Sequence, residues 1–296
     1  MVWKSIIYLA AAALVSTACH SGNVRLTESP TVSAVKSPEP LVSTTSTPVL
    51  SDAPVFQVPS TLTPSQSVIG DTFLDAMNQI ELDRAIHDLK KMTGEEPLCL
   101  DGSCHTIQSR ETGSEGLGWV KEYIYRELVA LGYAVEYDDW SQGEFSDQNI
   151  IAGKPGTVYP GEKIYFVAHI DGIHPNLLSA RPAADDNASG VVGLLEMARI
   201  LRNYDLERTI ILFFSTGEEQ GTLGVRNYLD HLSAEQLDAI KYVVDVDVIG
   251  YDANKDHLME LWHGDDPSSF ELVVHMSDVI RDHQINLTPV FVVGCG

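Results

Sequence analysis

The stretch KIYFVAHID, Lys163 to Asp171, joins an uninterrupted apolar run to a histidine and an aspartate two residues apart. A strand with one solvated face alternates polar and apolar residues. A run without alternation is therefore expected to be buried on both faces. TIILFF, Thr209 to Phe214, reads the same way, and a helical pattern separates the two. Buried strands alternating with helices imply an α/β sheet with a largely parallel centre. In open sheets of this kind the functional crevice lies outside the carboxyl ends of the strands. His169 and Asp171 fall there.

Working outward, strands are expected near Tyr133–Tyr137, Asn149–Ala152, Lys163–Ala168, Thr209–Phe214, Tyr242–Asp247, Leu258–Trp262 and Val290–Val293. Helices are expected over Asp71–Met92, Gly118–Leu131 (with Gly132 as its C-cap), Ser189–Asn203, Gly224–Leu232 and Ser268–Asp282. No internal repeat is visible.

Four groups of chemistry-bearing residues then fall at one edge of the fold. They are His169 and Asp171, Asp185 and Asp186 in PAADDNASG, Glu218 and Glu219 in FFSTGEEQG, and Asp247 in VVDVDVIG. Glu218-Glu219 alone would more often be a solvated turn, and Asp245 with Asp247 could be edge charges. The convergence of all four groups is stronger than any one. Adjacent carboxylates such as Asp185 and Asp186 repel unless a positive group lies between or beyond them. One histidine with several carboxylates and no thiolates suits zinc, or a similar divalent ion, in an open catalytic site. Two metals bridged by a carboxylate is the arrangement expected of aminopeptidases and phosphatases. Asp185 is read as the bridge, Asp186 as shaping the turn, and Asn187 and Ser189 as suiting the start of the next helix.

AHID, ADDNASG, GEEQGTLG and DVDVIG, in that order, resemble the secreted dizinc aminopeptidase family, which also contains glutamate carboxypeptidase-like enzymes and glutaminyl cyclases. SRETGSEG and LGYAVEYDDW resemble its N-terminal part, so the likeness runs from about Ala85 onward. The resemblance implies a three-layer zinc-exopeptidase-like fold, a mixed sheet with helices on both faces. It implies two Zn2+ ions: His169 and Asp247 on one, Asp185 bridging, Glu219 on the other. Glu218 would be the general base, Asp171 would orient His169 through its other ring nitrogen, and the Asp185–Asp186 peptide would be cis. Peptides are the implied substrates. Asp245 stands where the family carries asparagine, and Ala183 where glycine is common. The family's last metal ligand is a histidine in a Ser-Asp-His segment after the final core strand. The sequence stops at PVFVVGCG, where that segment should begin, so a C-terminally truncated domain is expected.

The rest of the chain bounds these readings. Its 296 residues are 44% hydrophobic and 21% charged, an ordinary globular composition. A net charge of −23, from 42 acidic against 19 basic residues, argues against nucleic acid as a partner. MVWKSIIYLAAAALVSTAC reads as a signal peptide over residues 1–19, and its ending on Cys19 resembles a bacterial lipoprotein signal. Export follows, as a cell-envelope lipoprotein or a secreted protein, with membrane contact only through a lipid on Cys19. Residues 20–69, rich in Ser, Thr and Pro, read as an extended tether, and 70–296 as the peptidase domain. Cys99 and Cys104 are close enough to close a small disulfide loop in an exported protein. Two further readings are a glutaminyl cyclase-like acyltransferase and an inactive tethered binding lipoprotein of the same fold.

Overall fold

The computed structural model describes residues 72–173 and 183–294. The expected signal peptide, the whole of the tether and Cys295 lie outside them. The helix expected from Asp71 to Met92 is two helices, α1 (Thr72–Asn78) and α2 (Leu82–Met92). The sequence period runs through the break, but side chains of a later helix hold it open. The Glu81 N–H donates to Glu196 Oε1 at 2.5 Å, and Arg199 donates to the Gln79 carbonyl. The exposed backbone groups of the interruption are thus satisfied from outside the helix.

Next come a short hairpin, β1 (Leu98–Leu100) and β2 (Ser103–His105), closed by a Cys99–Cys104 disulfide, and helix α3 (Glu115–Ala130). Strands β3 (Ala134–Gln142), β4 (Phe145–Lys154) and β5 (Tyr159–His169) lead to a turn at Ala184–Ser189 and helix α4 (Gly190–Leu201). They are followed by β6 (Arg208–Ser215), α5 (Leu223–Asp230), α6 (Ala234–Asp238) and β7 (Ile240–Asp245). The described chain ends with β8 (Leu258–His263), α7 (Pro267–Asp282) and β9 (Thr288–Val293).

The main sheet has the order β3-β4-β6-β5-β7. Its β6-β5-β7 side is parallel, and β3 and β4 join it antiparallel. This is a mixed sheet with a parallel centre. Successive residues of the buried strands face opposite sides. Ile150, Phe166, Leu212 and Phe214 pack with residues of α2, α3 and α4, while Ile151, Tyr165, Ile211 and Phe213 meet Val225 and Tyr228 of α5. Both faces are covered, as the lack of alternation in KIYFVA and TIILFF requires. β8 and β9 form a parallel pair of their own, packed by α7 around Leu261, Val273, Met276 and Ile280. Among the described residues, no helix is long and apolar enough to cross a membrane.

Phe166 is fully buried at the centre of the larger apolar layer. Phe166→Ala should cost about 3–5 kcal/mol through lost burial and an uncollapsed cavity, read as a drop in the urea unfolding midpoint.

Candidate active site

The parallel strands set the stage. β5 ends at His169, β6 ends at Ser215 just before Glu218, and Asp247 lies two residues beyond the end of β7. Three loops therefore leave one sheet edge together, and the turn before α4 meets them.

His169 is buried, 3% exposed, with its ring fixed from behind. Nδ1 lies 3.1 Å from the main-chain carbonyl of Asp171 and 3.7 Å from its Oδ1. That contact places an N–H on Nδ1 and turns Nε2 toward the carboxylates. Nε2 is buried and makes no hydrogen bond. It stands 3.0 Å from Asp186 Oδ1 and 3.6 Å from Asp247 Oδ1. The three donor atoms all lie within 4.8 Å of one another. Burial alone would lower the His169 pKa, but the proximity and negative charge of Asp171 and Asp247 outweigh it and push it up to about 11.

The structure exchanges the places read for Asp185 and Asp186. Asp186 faces His169. Asp185 turns away, its Oδ1 accepting from the Gly250 N–H at 2.7 Å. The cis peptide is Asp186–Asn187, one bond later than the resemblance implied. The remaining residues of DDNASG stitch this turn to the segment carrying Asp247. Asn187 Nδ2 donates to the Val246 carbonyl at 2.9 Å, and its Oδ1 accepts from the Gly190 N–H at 2.8 Å. Ser189 Oγ accepts from the Ile249 N–H at 3.0 Å and donates to the Asp185 carbonyl at 2.6 Å. At Gly190 a Cβ would sit 2.1 Å from the Val246 oxygen, so only glycine permits the approach.

The loop after β6 is held just as firmly. Asn149 Oδ1 accepts from the Thr216 N–H at 3.0 Å, and Trp140 Nε1 donates to Thr216 Oγ1 at 2.8 Å. Gly217, at φ +72°, lies flat against the Trp140 ring. The buried Asp171 carboxylate accepts from the Glu218 N–H at 3.3 Å and the Glu219 N–H at 3.2 Å. Asp171 thereby couples the histidine to the glutamate pair. Burial, then the charges of Asp171, Glu219 and Asp247, raise the Glu218 pKa, although His169 opposes them. Glu219 lies outside the His169-Asp186-Asp247 triplet, and its Oε1 accepts from the Ile173 N–H at 3.0 Å. Burial also raises its pKa, with Asp186 adding to the effect.

Sequence reasoning missed Asn149 and Trp140, because neither carries chemistry of its own. The available signal was a polar amide at the head of the apolar run NIIAG, and the structure buries Asn149 fully with its amide holding backbone.

Residues 149–288 match Peptidase family M28. Aminopeptidase YwaD of Bacillus subtilis (strain 168) is 34% identical over 106 residues, which are 36% of this chain and 22% of that protein. A glutaminyl cyclase of Macrostomum lignano superposes with a TM-score of 0.59 at 19% identity, over 81% of this chain and 79% of that one. The LapA aminopeptidase of Legionella pneumophila superposes with a TM-score of 0.57 at 20% identity, over 82% and 62%. At these identities the two structures speak to the fold, which they share with this chain. The chain spans well under two thirds of the length of the curated relatives it matches. The sheet edge and all of its converging carboxylates lie within residues 149–288, the stretch that matches Peptidase family M28.

Proposed function

We propose that this chain is a zinc-dependent exopeptidase of the aminopeptidase type, hydrolysing peptides at their N-termini. The observation that carries the reading is the unpartnered His169 Nε2, buried and faced by Asp186 and Asp247. Donors bound to zinc at about 2.0–2.2 Å in tetrahedral geometry lie about 3.4 Å apart. The separations of 3.0 and 3.6 Å bracket that value, so the residues fit the ion. His169, Asp186 and Asp247 would hold it. We further propose that Glu219 serves a second ion, with Asp186 between the two. Bound zinc would supply Lewis acidity toward the scissile carbonyl and toward water.

The protein's own groups perform the proton transfers. Glu218, its pKa raised, would take the proton of the attacking water and pass it to the departing amine. Asp171 would keep the His169 tautomer fixed and aim both glutamates through their backbone N–H groups. The family and the aminopeptidase names of its relatives support the reading. Export to an oxidising compartment, with Cys19 lipidated and residues 20–69 as tether, belongs to the same proposal, and the Cys99–Cys104 disulfide supports it.

Hydrolysis of leucine-p-nitroanilide by the zinc-loaded chain is the direct test. Cyclisation of an N-terminal glutamine peptide without hydrolysis would instead select the cyclase reading. Glu218→Gln should reduce turnover at least about 10²-fold at unchanged zinc content, which elemental analysis checks. Asp186→Asn should lose zinc, whereas Asp185→Asn should retain it because an amide oxygen still accepts from Gly250. The reverse pattern would restore Asp185 as the ligand. A His169 pKa near 11 means a protonated imidazole at neutral pH, and zinc must displace that proton. Zinc uptake should therefore release about one proton from His169 at pH 7 and weaken as pH falls, measured by titration calorimetry in buffers of different ionisation enthalpy.

A further inference from the structure

Outside the converging carboxylates, two buried cations among the described residues, Arg110 and Lys121, are not used by the chemistry above, and Lys121 is paired with Asp147. Arg110, in SRETGSEG, is only 1% exposed. Its Nε donates to the Ile170 carbonyl at 2.7 Å, and Ile170 is the residue between His169 and Asp171. Its Nη2 donates to the Ala183 carbonyl at 2.8 Å, three residues ahead of Asp186. The Arg110 carbonyl in turn accepts from the Gly172 N–H at 3.1 Å. Two residues on, Thr112 Oγ1 lies 2.5 Å from Gln220 Oε1 and 3.3 Å from Asp171 Oδ2. A single stretch of chain, remote in sequence from every candidate ligand, thus touches the loop after β5, the turn before α4 and the loop after β6.

We infer that Arg110 and Thr112 are positioning residues for the zinc site, an inference that rests on the reading proposed above. The guanidinium is a rigid planar fork that bonds these two carbonyls, and that of Met92 at 3.4 Å, at a fixed spacing which the single ammonium of lysine does not reproduce. Burying that charge is costly, so the position calls for a compensating role. The compensation is visible: burial lowers the Arg110 pKa to about 10, while the charges of Asp171, Asp186 and Glu219 act to restore it. The fork ties the His169 loop to the Asp186 turn and places one positive charge behind the carboxylates. Thr112 ties Asp171 to the loop that carries the glutamate pair. Partners at this distance from an ion tune its affinity by orienting the groups that hold it.

The test is zinc affinity of the full chain, measured by competition with a chromogenic chelator. Chelator-treated protein is melted in parallel to report stability without metal. Arg110→Met, which removes fork and charge, and Arg110→Lys, which keeps the charge, should both bind zinc about 10–100-fold more weakly. Thr112→Val should lose about tenfold with little change in the metal-free melting midpoint. Wild-type zinc affinity in the Arg110 variants alongside a lowered midpoint would make Arg110 a structural brace only and overturn the inference. Full restoration by Arg110→Lys would also overturn it, since charge and not the fork would then matter. If the Arg110 variants fail to fold, Thr112→Val decides alone, and unchanged affinity there overturns the inference. Failure of the wild-type chain to take up zinc would instead sink the metal reading itself.

Discussion

Three aspartates crowd one buried imidazole at the edge of the sheet, in a chain already carrying a net charge of −23. Like charges brought this close are unfavourable in proportion to how well the protein excludes water. The arrangement stands only with positive charge among the carboxylates. Without metal, His169 and Arg110 supply it: the imidazole holds its proton far above the usual histidine range, and the guanidinium remains charged though buried. A divalent ion would deliver the same neutralisation in one place.

Holding such a group together is the work of backbone more than of side-chain pairing. Asp185, Asn187 and Ser189 direct their polar atoms at main-chain amides or carbonyls of the neighbouring segment from Val246 to Gly250. Asn149 and Asp171 do the same for the loop after β6. Each such bond contributes only about 0.5–1.5 kcal/mol net, but breaking one exposes a buried partner at higher cost. The loops are therefore fixed collectively, so that the repelling carboxylates cannot relax apart.

The sheet was legible because apolar runs without alternation leave few alternatives, and the shared carboxyl edge of the parallel strands follows from topology. His169, Asp171, Glu218, Glu219 and Asp247 reach that edge for the same reason. Asp185 and Asp186 were harder. Adjacent residues face different ways, and which one faces inward depends on the backbone path of the turn. That path is set by Gly250, Val246 and Gly190, which lie elsewhere in the chain or look unremarkable in it. The break between α1 and α2 was invisible for a similar reason: Glu196 and Arg199, more than a hundred residues later, satisfy its backbone. Long-range polar contacts leave no periodic trace, whereas burial does.

Helix α4 is buried on all sides, with every residue from Gly190 to Leu201 except Arg199 in the interior. It begins directly after the turn that presents Asp186. Local opening of a protein draws on its least stable parts, while fully buried helices open only with the whole domain. The Asp186 side of the cleft is thus tied to the segment whose amide protons should exchange most slowly with solvent. Ile173, Val248 and Tyr251 are exposed on the other loops of that edge. The edge therefore combines a turn anchored to the best-protected helix with exposed apolar side chains on the neighbouring loops.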